Sequence, residues 1–300
     1  VLYLKAWAYF LGPPNLLDLA IKREKIITKQ KALATSETER KMLIRRPTFH
    51  SRNRWHSLQK KMEDFSDQIQ RIKVKLSVAK RKDKKLRVFG SSSHKYQIST
   101  PVSVAEIKQF ENKCNIKLPC CYRTFLIEVG NGGISYMKSG AGPYYGIFPL
   151  GKNIDDLVEN AERHLSKDCV IHPELNDEEW TKLNKNIDSD NDISDEDFEI
   201  ERSKIFGGIL PIASQGCTYI SGLILNGLQR GRILNLDFDF QKPSFAYESN
   251  FLDWYERWLD EVILGKLFES PSWFGYGKRE SEHIPIDSPK LNIKRNFKFW

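Results

Sequence analysis

The order of hydrophobic patterns along this 300-residue chain predicts an α+β fold. Two short amphipathic helices between residues 103 and 130 come first, β-rich segments follow from about 208 to 248, and a strongly aromatic helix closes the pattern after 250. Charge then divides the chain. Residues 1–100 hold 24 Lys and Arg against 8 Asp and Glu, whereas residues 101–300 hold 23 against 31. The net charge of +8 therefore sums two regions of opposite sign, which predicts different partners for each. The expected division is a basic helical or coiled-coil region with a linker over 1–98, an α+β domain over 99–270 with an acidic insert at 155–201, and a tail over 271–300.

Residues 1–11 are apolar but lack a basic leading region and stop at Gly12-Pro13-Pro14. They are too short to cross a membrane and lack signal-peptide flanks. A helix-prone stretch from Asn15 to about Arg45 ends before Pro47. Trp55, Leu58, Met62, Phe65, Ile69, Ile72, Leu76 and Ala79 then recur in steps of three and four, a heptad seam. An antiparallel helical hairpin or an intermolecular coiled coil would bury it, so self-association is expected. The outer face ends in Lys80, Arg81, Lys82, Lys84 and Lys85, a candidate footprint for nucleic acid or another polyanion. The same run also reads as a solvated helix face, and no sequence-reading DNA motif accompanies it. Gly90-Ser91-Ser92-Ser93 reads as a linker.

Ser103 and Glu106 have capping-box spacing, and Val104, Ile107, Phe110 and Cys114 give the first helix an apolar face. Asn115 suits a left-handed helix end, and Pro119 opens the next helix. Tyr122, Phe125, Leu126 and Val129 form its apolar face, and Gly130-Asn131-Gly132-Gly133 stops it. Tyr144–Phe148 is expected as a short strand. The insert 155–201 holds 17 acidic and 4 basic residues; Asp155–Leu165 is compatible with a helix, and Asp188–Glu201 reads as too polar to order unaided. Gly208–Ala213, Tyr219–Leu225, Gly231–Phe240 and Ser244–Glu248 read as β segments, and Phe251–Ile263 as the aromatic closing helix.

These residues carry a resemblance. The ordered set Glu111, Leu118-Pro119, Tyr122, Phe125-Leu126 and Asn131-Gly132 resembles the opening of the SUKH superfamily, which includes yeast Smi/Knr-type regulators and bacterial toxin-immunity proteins. Asn115 stands where that family more often has glycine. The later Leu210-Pro211-Ile212-Ala213 with Gly216, the hairpin strands and the Phe251-Leu252-x-Trp254 helix extend the similarity over about 102–268. Residues 1–98 lie outside it, and the insert is longer than the family's usual one.

Chemistry-bearing patterns are few. Asp188, Asp190, Asp192 and Glu199 match EF-hand positions, but Ile193 replaces the invariant turn glycine and Asp195 falls at an apolar position. Cys169 and His172 have ligand spacing without a second pair. Asp237 and Asp239 read as the solvent face of a strand, and the glycine turn has neither the spacing nor the Lys of a P-loop. The five cysteines form no C-x-x-C pair, and a reduced, cytoplasmic protein is expected. Neither a catalytic residue, nor a metal, nor a cofactor is expected.

The resemblance implies a non-catalytic module that works by protein–protein contact. Its immunity-protein branch implies neutralisation of a toxin, many such toxins being nucleases with basic active sites. Residues 101–270 hold 17 basic and 28 acidic residues, the sign that speeds association with a basic partner. The expected contact residues are Asn131, Gly132 and Gly133 in the turn, and Asp188, Asp190, Asp192, Asp195, Glu196 and Asp197 in the insert. Two alternatives stand beside this reading: a Smi/Knr-type regulatory scaffold, and a coiled-coil nucleic-acid binder acting through residues 1–95.

Overall fold

The chain divides into two compact units, 1–64 and 65–300. The structure, a computed structural model, describes residues 65–187 and 193–268. The stretches 1–11 and 15–45, the seam residues Trp55, Leu58 and Met62, the insert residues Asp188, Asp190 and Asp192, and the tail 271–300 lie outside the described residues.

Helix α1, Ser66–Lys82, opens the second unit with Asp67 in its first turn and Lys80, Arg81 and Lys82 in its last, the charge order a helix dipole favours. Ile69, Ile72, Lys75, Val78 and Ala79 form its buried face. Of the expected seam, Ile69, Ile72 and Ala79 are buried and Leu76 is half-buried, but the buried face also takes in Lys75, which is fully buried. A lysine lies inside because its ammonium meets Glu256 at 2.8 Å and Asp260 at 2.6 Å. Both carboxylates belong to the closing helix, so this segment packs against that helix within its own domain. The expected linker is folded too: Ser91–His94 is a short helix, α2, with Ser91 and His94 buried.

Helices α3 (Val104–Lys113) and α4 (Cys120–Glu128) follow the sequence closely. Ser103 and Glu106 close the capping box, and Asn115 turns through φ 52°. Glu111, from the family-like motif, is buried; it accepts a hydrogen bond from the Leu118 N–H at 2.9 Å and pairs with Lys117 at 3.1 Å. A carboxylate therefore ties the end of α3 to the start of α4. Leu118, Phe125 and Leu126 are core residues.

Strands β1 (Ile209–Gly216), β2 (Tyr219–Ile224), β3 (Ile233–Asp237) and β4 (Ser244–Phe245) form an antiparallel meander in that order. The segment expected as a strand at 144–148 makes single bridges instead, Ile147 lying between Gly140 and Ala213. It covers the free edge of β1, which would otherwise present unpaired backbone groups. Side-chain alternation gives the sheet two buried faces. Leu210, Ile212, Leu223, Leu225 and Ile233 meet α1, α3, α4 and the closing helix α7, Phe251–Leu264. Ile209, Ile224, Leu234 and Leu236 meet the acidic insert.

Asn250 caps α7, accepting from Leu252 and Asp253 N–H, and Gly265 ends it at φ 81°. Its aromatic side chains are the centre of the first core. Phe251 lies edge-on to Tyr122 at 4.9 Å and Tyr255 to Phe125 at 4.7 Å, while Trp258 stacks on Tyr96 at 5.8 Å. Each such ring buried contributes about 1.5–3 kcal/mol.

The insert is ordered where it is described. Ile154–Asp156 and Ala161–Arg163 are 3₁₀ turns, where one helix was compatible with the sequence. Helix α5, Asp177–Asn184, is capped by Asn176 and buries Trp180; helix α6, Asp195–Phe206, is capped by Ser194 and buries Ile205 and Phe206. The polar reading of 188–201 fails at α6 because its apolar anchors come at the end, where Ile205 and Phe206 reach the sheet. Asp237 is also corrected: it is buried, and one oxygen accepts from the Asp239 N–H at 3.2 Å.

Candidate protein-binding surface

The Asn131–Gly133 turn is built inward. Asn131 Oδ1 accepts from Leu150 N–H at 2.7 Å, Gly132 O from Ser99 N–H at 2.8 Å, and Gly133 N–H donates to Lys138 O at 2.6 Å. Gly132 sits at φ 64°, and a Cβ there would lie 2.5 Å from both Lys138 O and Pro149 Cγ. The turn is a tight backbone junction that only glycine fits. What it presents to solvent is the loop beyond it, where Ile134 is 54% and Tyr136 88% exposed.

Tyr136 and Met137 form one wall of a groove of about 400 Å³ whose other walls are Tyr145, Asp156, Gly216, Tyr219 and Phe238. The combination of exposed Tyr136, half-buried Tyr145 and Tyr219, and a methionine is the composition of a protein-contact patch. In the sequence only the glycine turn beside this loop stands out, and Tyr136 carries no local signal of its own.

Beyond Asp156 the chain forms a wall of a second, larger depression of about 750 Å³. Glu159, Asn160, Arg163 and His164 face Asp195, Glu196, Phe198, Glu199, Ile200 and Ser203 of α6 across it. The predicted contact residues Asp195, Glu196 and Asp197 are exposed in the first turn of α6, where they also complement the helix dipole. Asp197 is held by the Ser194 hydroxyl at 2.8 Å. Glu199 accepts from the Glu159 N–H at 2.9 Å and pairs with Arg202 at 3.0 Å, which fixes the α6 wall to the 154–164 segment. Burial, followed by Lys167 and Arg163, lowers the His164 pKa and favours its neutral form. An acidic rim remains over half-buried Phe198 and exposed Ile200.

The predicted polyanion residues Lys80, Arg81, Lys82, Lys84 and Lys85 are all exposed at the end of α1 and in the turn after it. All five cysteines are free thiols, Cys114 and Cys121 being buried. No group of three His, Cys, Asp or Glu residues is placed to hold a metal ion among the described residues, and none of their helices is long and apolar enough to cross a membrane.

The helix pair, the glycine junction, the meander and the aromatic closing helix together form the pattern to which the model of the SMI1/KNR4 family (SUKH-1) matches, over residues 101–257. The chain belongs to this family. Comparison with curated proteins and with solved structures gives no match. The core of this SUKH domain extends past the matched segment on both sides, since α1 begins at Ser66 and α7 ends at Leu264. Family resemblance could not reveal α1 as part of the domain; its Lys75 has no partner within the helix, and the two carboxylates that explain it lie about 180 residues away in sequence.

Proposed function

We propose that this SUKH domain is a non-catalytic protein-binding module of the immunity type, which occludes a basic toxin through the acidic depression between α6 and residues 159–164. The observation that carries this reading is the folding of the insert. Its apolar side chains are anchored on the sheet, so Asp195, Glu196 and Asp197 are displayed on a fixed helix. A fixed acidic rim around apolar Phe198 and Ile200 combines electrostatic steering with a small apolar contact. The aromatic groove at Tyr136 and Tyr219 offers a second contact area on the other side of the 154–164 segment.

The test uses the full chain and the toxin encoded beside its gene. Complex formation should protect the toxin's substrate, and Asp195→Lys combined with Glu196→Lys should slow association at least about tenfold, the more so at low salt. Absence of a complex with that toxin would overturn the immunity reading. A locus with no neighbouring toxin gene would favour the regulatory-scaffold alternative.

A further inference from the structure

The basic run after α1 is more than a charged helix end, because a buried carboxylate folds it into a hook. Asp83 is 1% exposed and accepts four hydrogen bonds. Arg87 N–H donates to it at 2.7 Å, Val88 N–H at 3.1 Å, the Ser91 hydroxyl at 3.0 Å and the Tyr96 hydroxyl at 2.9 Å. Residues 83, 87, 88, 91 and 96 are thereby gathered around one carboxylate. Gly90, at φ 76°, presses the hook onto the domain, since a Cβ there would lie 2.0 Å from Tyr144 O. Phe89 turns inward, meeting Tyr145 ring-to-ring at 5.4 Å.

The cations are left on the outside of this hook. Lys84 and Lys85 follow Asp83 directly, Arg87 donates to it through its backbone, and Lys95 precedes Tyr96; all four side chains are exposed. Lys80, Arg81 and Lys82 add three more from the last turn of α1. The one acid between Ile69 and Ala105 is Asp83 itself, buried and already engaged. Among the described residues no ion pair joins any of these seven cations, whereas Arg71, Lys73 and Lys75 further up the helix are all paired. The helix dipole accounts for about half an elementary charge. Seven cations far exceed it.

We propose that this hook is a binding surface for the phosphate backbone of duplex nucleic acid. The choice of partner follows from what accompanies the charge. Membrane-surface binding needs an apolar face beside the cations, and no residue of the hook itself is an exposed large apolar one. Sequence-tolerant single-strand binding needs exposed aromatic platforms, and the aromatic residues of the hook, Phe89 and Tyr96, are packed inward. What remains is a cluster of exposed positive charge, with the Arg87 guanidinium resting over the Phe268 ring at 4.7 Å, which suits phosphates and reads no sequence. This surface is independent of the acidic depression, and its failure would leave the immunity reading untouched.

The test measures anisotropy of the full chain against a fluorescent duplex of about 20 base pairs while salt rises from about 20 to 200 mM. Binding should weaken steeply with salt and show little sequence preference. Lys84→Gln, Lys85→Gln and Lys95→Gln together should lower the slope of log affinity against log salt by about 2.7 and weaken binding at least about tenfold at 100 mM. The three side chains are exposed, so an unchanged thermal melt confirms the fold of the variant. No duplex binding at low salt, an unchanged slope in the triple variant, or binding to phosphatidylserine vesicles without binding to duplex would each overturn the proposal.

Discussion

The two faces of the sheet are buried by different means. On one, α1, α3, α4 and α7 bring a large aromatic core that includes Tyr122, Phe125, Trp254, Tyr255 and Trp258. They also bring charge inside: Lys75, Glu256 and Asp260 have fully buried side chains. On the other face a smaller set, Leu157, Val158, Ile171, Leu175, Trp180, Ile205 and Phe206, covers Ile209, Ile224, Leu234 and Leu236. The first face uses buried ion pairs to fix which helix lies where, since a misplaced α1 would strand a lysine opposite no acid. The second uses a thin apolar layer and leaves the acids of α5 and α6 in solvent. One face specifies the fold, and the other carries a charged surface on it.

The largest test of this contrast is removal of residues 66–82. Without α1 the α7 surface at Glu256 and Asp260 is open to water, and the domain should lose its cooperative thermal transition and its near-ultraviolet circular dichroism. Next comes Lys75→Ala, which leaves Asp260 buried without its ammonium and should cost about 3–5 kcal/mol, read from the urea midpoint. On the opposite face, Trp180→Ala should cost about 3 kcal/mol, with hydrogen-exchange protection falling in 155–206 far more than in α4 or α7. Equal loss on both sides would show that the two layers fold as one cooperative unit. The smallest effect belongs to Ser194→Ala, which removes the α6 cap and should cost about 1 kcal/mol.

Acid should attack the first face, in two windows. Burial, only partly offset by a backbone hydrogen bond to Gly142, holds His94 at about 4 against an ordinary 6.5. Its neutral form is favoured by folding, so stability is full above about 6.5 and falls as pH drops towards 4. For Glu256 burial raises the pKa, but hydrogen bonds from Arg71 and Lys75 more than reverse this and leave the carboxyl at about 2. Its contribution, about 3 kcal/mol at neutral pH, is present above the ordinary value of 4.5 and is lost as pH falls through 2. Urea melts of the wild type and Glu256→Gln should therefore converge between pH 4.5 and 2.

Much of the scaffold was legible. The capping box at Ser103, the left-handed Asn115, the Pro119 start, the hairpin strands and the aromatic face of α7 are local signals, and each forms where its spacing indicates. Legibility failed where a residue's partner is distant. Neither Lys75, one position before the seam residue Leu76, nor Asp83, inside the basic run, carries a local sign of the partners that bury it. Asp188–Glu201 reads as too polar to order unaided, because the apolar residues that anchor α6, Ile205 and Phe206, lie beyond it and meet the sheet. In the candidate surface, Asp195, Glu196 and Asp197 were found by charge alone, while Tyr136, Tyr219 and Phe238 were not singled out, since no local pattern says that a loop and a strand end share a groove.

The sequence by itself determined the α+β order, the helix ends, the strand alternation and the family, because each depends on residues within a few positions of one another. Tertiary structure alone decided that α1 belongs to the domain, that the acidic insert is the second cover of the sheet, and that one buried aspartate holds the cations of the hook together. Those outcomes rest on burial of charge and apolar surface against distant partners, and burial is a property of the packed chain that local spacing does not encode.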